Sequence, residues 1–272
     1  MSISVDLDRV ADLAREVAAQ VHIPLFGSEV QREEKSPGEL VSRVDREAEA
    51  LLIQGLRDLT PDIAVVGEEG ASADESVMAA LRDDKPVWLV DPLDGTPQFL
   101  DGSPDHAIML ALVQAGRTLS AVVHQPQHKR TYTAELGCGT WRDGVRLRRE
   151  PATRDLALLR GGVLRRFLDD QAQQAVDSNA SRFGGGLTPA TTCAGVEYPR
   201  IIEGDADFLL FWRTLAWDHA PGALLLTEAG GAAVRPDGGP YRCNDDRMGL
   251  LAAADGATAD AVLHGLGIAD HG

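Results

Sequence analysis

Val87-Trp88-Leu89-Val90-Asp91-Pro92-Leu93-Asp94-Gly95-Thr96-Pro97-Gln98-Phe99 is the stretch on which the reading of this chain turns. Val87 to Val90 is a short apolar run of the kind that forms a buried strand, and Asp91 and Asp94 stand where it ends, around a proline that cannot donate to a sheet ladder. The two carboxylates are therefore expected at the rim of a sheet. Gly95 permits a close turn, Thr96 is a good N-cap, and Pro97 suits the first position of a short helix. Hard divalent cations take oxygen donors and a helix start takes anions, so the pattern points to a metal–phosphate site. Asp-Pro and Asp-Gly are also ordinary turn formers, and on local grounds a plain turn stays open.

Outward from this stretch, the flanking segments give the fold. Residues Val5 to Val21 place apolar side chains at helical spacing, disturbed near Pro24 and Gly27. A polar, mobile loop is expected over Ser28–Glu39, including Lys35-Ser36-Pro37-Gly38, then a helix over about residues 42–59. Ser42-x-x-Asp45 reads as a capping box. Ile63–Val66 reads as a strand, and Gly67-Glu68-Glu69-Gly70 after it as an acidic loop; a helical stretch follows at Ser72–Leu81.

Beyond the central stretch, His106–Gln114, Thr118–His124, Arg130–Glu135 and Thr140–Trp141 read as an antiparallel meander. His106, His124 and His128 lack metal-ligand spacing and are read as core or surface histidines. The charged run Arg146–Arg154 is the expected boundary between domains at 1–148 and 149–272. After it come an expected strand at Leu156–Val163, a helix at Leu164–Val176, a plain loop at Gly184-Gly185-Gly186, a helix from about Ala190 to Glu203, a strand at Phe208–Phe211, a helix at Asp218–Ala229 and a strand at Ala232–Arg235. Asp218, at a helix start, is open as an N-cap.

Four segments, in order, resemble the inositol monophosphatase family of lithium-sensitive, magnesium-dependent sugar phosphatases. The central stretch is similar to its W-[IV]-[IVL]-D-P-[IL]-D-G-T signature, Leu40-Val41-Ser42-Arg43-Val44-Asp45 to L-V-T-x-x-D, and Gly67-Glu68-Glu69 to G-E-E. Trp217-Asp218-His219-Ala220-Pro221-Gly222 with Glu228-Ala229-Gly230-Gly231 resembles W-D-x-A-A-G…E-A-G-G. The resemblance spans nearly the whole chain. It implies an α/β fold, an α+β sandwich of alternating helix and sheet layers, with an antiparallel sheet in the N-terminal half and a mixed one in the C-terminal half. It implies two or three Mg²⁺ per site, with Li⁺ as a possible inhibitor. One Mg²⁺ would be held by Glu68, Asp91 and the Leu93 carbonyl, a second by Asp91, Asp94 and Asp218, beside a weaker site near Asp45 and the lysine-bearing loop.

By the same resemblance, Thr96 and Asp45 orient the attacking water with assistance from Glu68, and Asp94, Gly95, Thr96, Ala194, Phe211, Arg213 and Asp218 face the substrate. The implied reaction is hydrolysis of a small phosphate monoester, inositol 1-phosphate or a related sugar or polyol phosphate. The alternatives are a 3′-phosphonucleotide, fructose 1,6-bisphosphate or histidinol phosphate, or a silent metal- or ligand-binding member. Two positions depart from the pattern. Phe211 stands where inositol phosphatases place an acidic residue for sugar hydroxyls, and Pro97 replaces the second threonine of D-G-T-T-N. Arg213 and His219 are candidate substrate contacts.

Composition bounds these readings. The 272 residues can bury a full core, and the formal net charge of −16 argues against a nucleic-acid or anionic-membrane partner. The same charge repels a phosphate ester, which bound cations would answer without a basic patch. Cys138, Cys193 and Cys243 form no C-x-x-C pair and fit a reducing compartment. With no signal peptide read in Met1–Val10 and no apolar run near the roughly 18 residues of a membrane span, a cytoplasmic protein is expected, and the family resemblance implies a homodimer.

Overall fold

A computed structural model describes residues 5–28, 30–36, 39–73, 75–188, 191–245 and 247–269. Its main helices are α1 (Leu7–Val17), α2 (Arg43–Leu59), α3 (Glu68–Ala73), α4 (Thr96–Leu100), α5 (Asp170–Asn179), α6 (Ala194–Glu203), α7 (Ala216–Glu228) and α8 (Gly256–Leu266), and α1 runs on through a π-helical turn at Ala18–His22 into a short helical turn at Ile23–Leu25. The strands are β1 (Glu33–Ser36), β2 (Glu39–Val41), β3 (Ala64–Gly67), β4 (Val87–Asp94), β5 (Ala107–Gln114), β6 (Arg117–Gln125), β7 (Arg130–Glu135), β8 (Gly139–Arg142), β9 (Val145–Leu147), β10 (Gly161–Val163), β11 (Phe208–Phe211), β12 (Ala232–Val234) and β13 (Leu250–Ala253).

Strand alternation builds five layers. β3 to β9 lie side by side in chain order in a seven-stranded sheet, whose β3–β4 pair is parallel and whose other pairs are antiparallel. One face presents Trp88, Val90, Ile108, Leu110 and Leu112 to α1 and α2. The opposite face presents Met109, Val123 and Tyr132 to α6 and α7, whose far sides pack on Leu209, Phe211, Leu250 and Ala252 of a four-stranded sheet ordered β10-β11-β13-β12. The outer face of that second sheet carries Phe208, Leu210 and Leu251 against α5 and α8. Helix α7 is apolar on nearly every side because sheets cover it from both directions. Helix, sheet, helix, sheet, helix is the sandwich expected, although the first sheet is mixed through its β3–β4 pair.

Several local expectations are corrected. The polar stretch before α2 is not one loop, because β1 and β2 pair antiparallel across it. Pro37, Gly38 and the side chain of Lys35 lie outside the described residues. Glu68 and Glu69 do not sit in a loop; they open α3, and the helical stretch after it is a 3-10 turn at Glu75–Arg82. The segment expected as one strand at 156–163 is a 3-10 turn at Leu156–Leu158 followed by β10, and the next helix begins only at Asp170. Helix α6 starts at Ala194; the expected start, Ala190, lies outside the described residues. The closing hairpin partner β13 and α8, capped by Asp255, carry no motif and were not expected. Residues 148–155 run between the two sheets, but the core around α6 and α7 draws on both halves of the chain.

Candidate active site

Asp91 and Asp94 should point to opposite faces of a regular strand, since three residues separate them and side chains alternate. A bulge removes the conflict. Asp91 pairs with Met109 but Asp94 with Ala107, so β4 spends one more residue than β5 over this interval. Pro92, which has no N–H to lose, sits within it. The strand therefore continues through both aspartates instead of ending before them, and the two carboxylates share one face. Because β3 runs parallel to β4, the chain leaves both strands at the same edge, which brings Glu68 at the head of α3 beside Asp91.

Asp91 is buried, and Leu93 N–H donates to its Oδ1 at 3.0 Å. Burial pushes its carboxyl well above the ordinary carboxylate range; the charges of Glu68, Asp94 and Asp218 and a hydrogen bond with Glu68 push the same way. Asp94 is raised to about 6 by burial and by Glu68, against donation from Cys193, Gly195 and Ala194 that favours its charged form. The Cys193 thiol lies 3.0 Å and the Gly195 N–H 2.5 Å from Asp94 Oδ2. The thiol itself is held protonated by burial and by the Asp94 charge. Gly195 is glycine for a steric reason: a Cβ there would meet the Ala107 Cβ at 2.5 Å and Asp94 Oδ2 at 3.2 Å.

Gly95, not Thr96, caps α4, with a left-handed φ of 87° and no side chain bonded to the helix start. A Cβ on Gly95 would press on the Asp105 carbonyl oxygen at 3.0 Å. Thr96 is the first helical residue, and its Oγ1 stands 2.7 Å from Asp45 Oδ1 and 3.1 Å from the Leu93 carbonyl oxygen. Asp45 in turn accepts from the N–H and hydroxyl of Ser42, both at 2.7 Å, and completes the capping box of α2. Capping and contact with the central stretch are thus combined in one side chain. Burial is the largest influence on Asp45 and raises it.

Asp218 lies in the first turn of α7, whose cap position is Leu215, so it is not an N-cap. It comes to the common cavity from the second half of the chain. That cavity, of about 500 Å³, is lined by Glu68, Asp91, Leu93, Asp94, Gly95, Thr96, Ala194, Phe211, Arg213 and Asp218 together. Asp45 is not among its lining residues and reaches it through its hydrogen bond with Thr96. Among the described residues no three His, Cys, Asp or Glu side chains stand close enough around one point to hold a metal ion as they are. The chemistry of the donors nonetheless fits a hard cation: carboxylates and a carbonyl, mutually repulsive, with the buried member driven toward its neutral form until a positive charge arrives.

The scan against protein families matches the model described as the inositol monophosphatase family over residues 6–269. The chain belongs to the inositol monophosphatase family. It is accordingly a hydrolase of phosphate monoesters. It is 27% identical over 268 residues to inositol monophosphatase 1 of Sus scrofa, covering 94% of this chain and 92% of that one. It is 31% identical over 207 residues to the fructose-1,6-bisphosphatase/inositol-1-monophosphatase of Thermotoga maritima, covering 74% of each. A solved Thermotoga maritima IMPase superposes with a TM-score of 0.80 at 26% identity, covering 97% of both chains.

Within this inositol monophosphatase framework, Phe211 stands at the end of β11 and fills its place with a ring. It stacks on Tyr198 with centroids 5.3 Å apart and meets His219 edge-on at 4.6 Å. Burial lowers His219 to about 3 and keeps it neutral. Its Nε2 faces the Arg213 carbonyl oxygen at 3.2 Å, an acceptor, so Nε2 carries the proton and Nδ1 accepts from the Tyr198 hydroxyl. Both ring nitrogens of His219 are thus engaged within the protein, while its side chain is among those lining the cavity. His106 and His124 are buried, and His128 bonds Asp105.

Sequence reading missed the residues that hold the ligand candidates in place. Cys193 was read only for its redox compartment, and Gly195 not at all, yet both bind Asp94 from 99 and 101 positions away. Glu49 was missed as well: its carboxylate accepts from Glu69 N–H at 2.8 Å and Gly70 N–H at 3.0 Å and so caps α3 beside Glu68. No spacing rule reaches these pairs.

Proposed function

We propose that this protein is a Mg²⁺-dependent phosphatase of sugar or polyol phosphates and related small monoesters, with Glu68, Asp91, the Leu93 carbonyl, Asp94 and Asp218 holding the metal. The observation that carries this reading is Asp91, a buried carboxyl facing three other carboxylates in a ligand-sized cavity. Such a cluster gains nothing from its own members and is relieved by divalent cations. Bound magnesium would supply positive charge to the phosphate oxygens and lower the pKa of water.

The chain's own groups account for the rest. The hydroxyl proton of Thr96 faces two acceptors, so with Asp45 ionised its lone pairs are left to orient a water. Asp45, made more basic by burial, is placed to take the proton relayed through that hydroxyl. The uncapped N–H groups at the start of α4 face the phosphate, and the φ of Gly95 aims them. In this reading residues 1–148 supply most of the ligands and residues 149–272 bring Asp218 and the substrate wall of Ala194, Phe211 and Arg213.

The test is phosphate release from inositol 1-phosphate by the full chain, with and without Mg²⁺, for wild type and Asp91→Asn. Metal-dependent release that drops at least a hundredfold in the variant supports the reading. Release indifferent to both metal and variant overturns it.

A further inference from the structure

We infer that Gln98 is a positioning residue for the metal-binding carboxylate Asp94: it latches the strained turn at Thr191 and Thr192 and so holds the start of α6, with the Cys193 thiol and the Gly195 N–H, against that carboxylate. The inference rests on the phosphatase reading above. Gln98 lies in α4, just after Asp94. Its Nε2 donates to the Thr191 carbonyl oxygen and, at 2.7 Å, to Thr192 Oγ1. A carbonyl oxygen can only accept, which fixes the orientation of the amide. Cys193 and Gly195, next along that segment, donate to Asp94 Oδ2. The short runs Asp94–Gln98 and Thr191–Gly195 are thus bonded to each other at both ends, across 93 positions of sequence at one end and 101 at the other. Gln98 and Thr192 line the same cavity as Asp94.

Thr192 has a φ of 64°. A β-branched side chain is a poor occupant of left-handed backbone, and such a residue stays there only where its surroundings hold it. The other described non-glycine residues with positive φ, Ala115, Lys129 and Asp143, are not β-branched and sit in the connections between successive antiparallel strands. Thr192 sits at the cavity instead. Part of its hold comes from α6 itself: Thr191 N–H donates to the buried Glu197 at 2.7 Å, and Cys193 N–H to Thr191 Oγ1 at 3.3 Å. Gln98 supplies the rest from the other half of the chain. Its Oε1 is buried with no partner among the described residues, a cost that the two bonds from Nε2 must offset. With the latch removed, Thr192 relaxes toward negative φ, and the peptide after it turns and carries Cys193 and Gly195 away from Asp94. Glycine at position 192 accepts the same φ without strain, so that turn no longer depends on the latch.

The test compares wild type, Gln98→Met, Thr192→Gly and the double variant as full-length proteins. Methionine keeps the length of the side chain and removes the donor. Two quantities are read besides melting temperature and phosphate release: Mg²⁺ affinity by calorimetry, and the rate at which iodoacetamide labels Cys193 in chelator, followed on its own peptide by mass spectrometry. Gln98→Met is expected to weaken Mg²⁺ binding about tenfold and to speed Cys193 labelling at least fivefold. In the Thr192→Gly background the same substitution should change each quantity by no more than about threefold. If Mg²⁺ affinity and labelling stay at wild-type values in Gln98→Met, whether or not the melting temperature falls, the inference is wrong while the phosphatase reading stands. An equal loss in both backgrounds also overturns it, because the latch then does not act through the turn at Thr192. If wild type releases no phosphate from inositol 1-phosphate with Mg²⁺, the phosphatase reading fails, and the labelling of Cys193 alone decides whether Gln98 holds the start of α6.

Discussion

The Thr96 hydroxyl oxygen stands 2.7 Å from Asp45 Oδ1, joining the start of α4 to the first turn of α2 across 51 positions of sequence. The contact is buried on both sides and ties the short helix that follows Asp91 and Asp94 to the helix whose capping box Asp45 completes.

Removing that hydroxyl while keeping its shape isolates its role. Thr96→Val is expected to lower kcat by about a hundredfold or more, the range of a lost positioning or proton-transfer group, with KM changed little. Asp45 keeps its bonds to Ser42, so circular dichroism and melting should stay close to wild type. A variant with wild-type kcat would remove Thr96 and Asp45 from the chemistry.

Gly195→Ala should be damaging out of proportion to its size. The added methyl meets the Ala107 Cβ at 2.5 Å, between two packed layers that cannot part cheaply, and overpacking of this kind costs about 1–3 kcal/mol. Gly185→Ala, where nothing lies within 4 Å, is the control. Melting temperature separates the two, and Mg²⁺ titration should show weaker binding only in the first, because Asp94 shifts with Gly195.

The Cys193 thiol lowers the Asp94 pKa by donating to it. Cys193→Val removes the donor, so Asp94 should titrate above its present value of about 6 and Mg²⁺ binding at pH 6 should weaken severalfold. Cys193→Ser restores a donor and should recover most of the loss. Equal affinity in all three proteins at pH 6 would show that the thiol does not tune the carboxylate.

Acid should unfold this protein through its buried histidines. His22 and His219 are lowered to about 3, and His106 and His124 to about 4, each mainly by burial. Groups with depressed imidazole pKa values are neutral in the fold and protonated in the unfolded chain below about 6.5, so stability falls as pH drops from there toward 4 and 3. Asp91 and Asp94 act in the opposite sense without metal: their raised values make the fold bind protons first, so they add stability as pH falls from above 6 toward the unfolded carboxylate range. Four histidines against three raised carboxyls, Asp45 being the third, leave a net loss, visible as a falling melting temperature between pH 6.5 and 4 in chelator. Added Mg²⁺ should raise the melting temperature more at pH 7.5 than at pH 5.5, since protons and metal compete for Asp94.

Much of the fold was legible because its periodicities are local. The apolar run before Asp91, the meander after it, and the helical spacing of α1 and α2 each bury one face or both and say so in the residues themselves. The capping box at Ser42 and Asp45 was equally local and formed as written. The candidate ligands could be named from motifs, since Glu68, Asp91, Asp94 and Asp218 each keep an acidic side chain in a matching context.

What only the tertiary structure decided was direction and company. The bulge that turns Asp91 and Asp94 to one face arises from pairing with β5, and the parallel β3–β4 contact that sets Glu68 beside them is equally non-local. The hold of Cys193 and Gly195 on Asp94, and that of Gln98 on Thr191 and Thr192, depend on packing between layers that no sequence window spans. The residue types and their periods were written along the chain, but which charges would share a cavity was settled by how the five layers close on one another, because hydrophobic burial fixes the layers and thereby the side-chain neighbours across them.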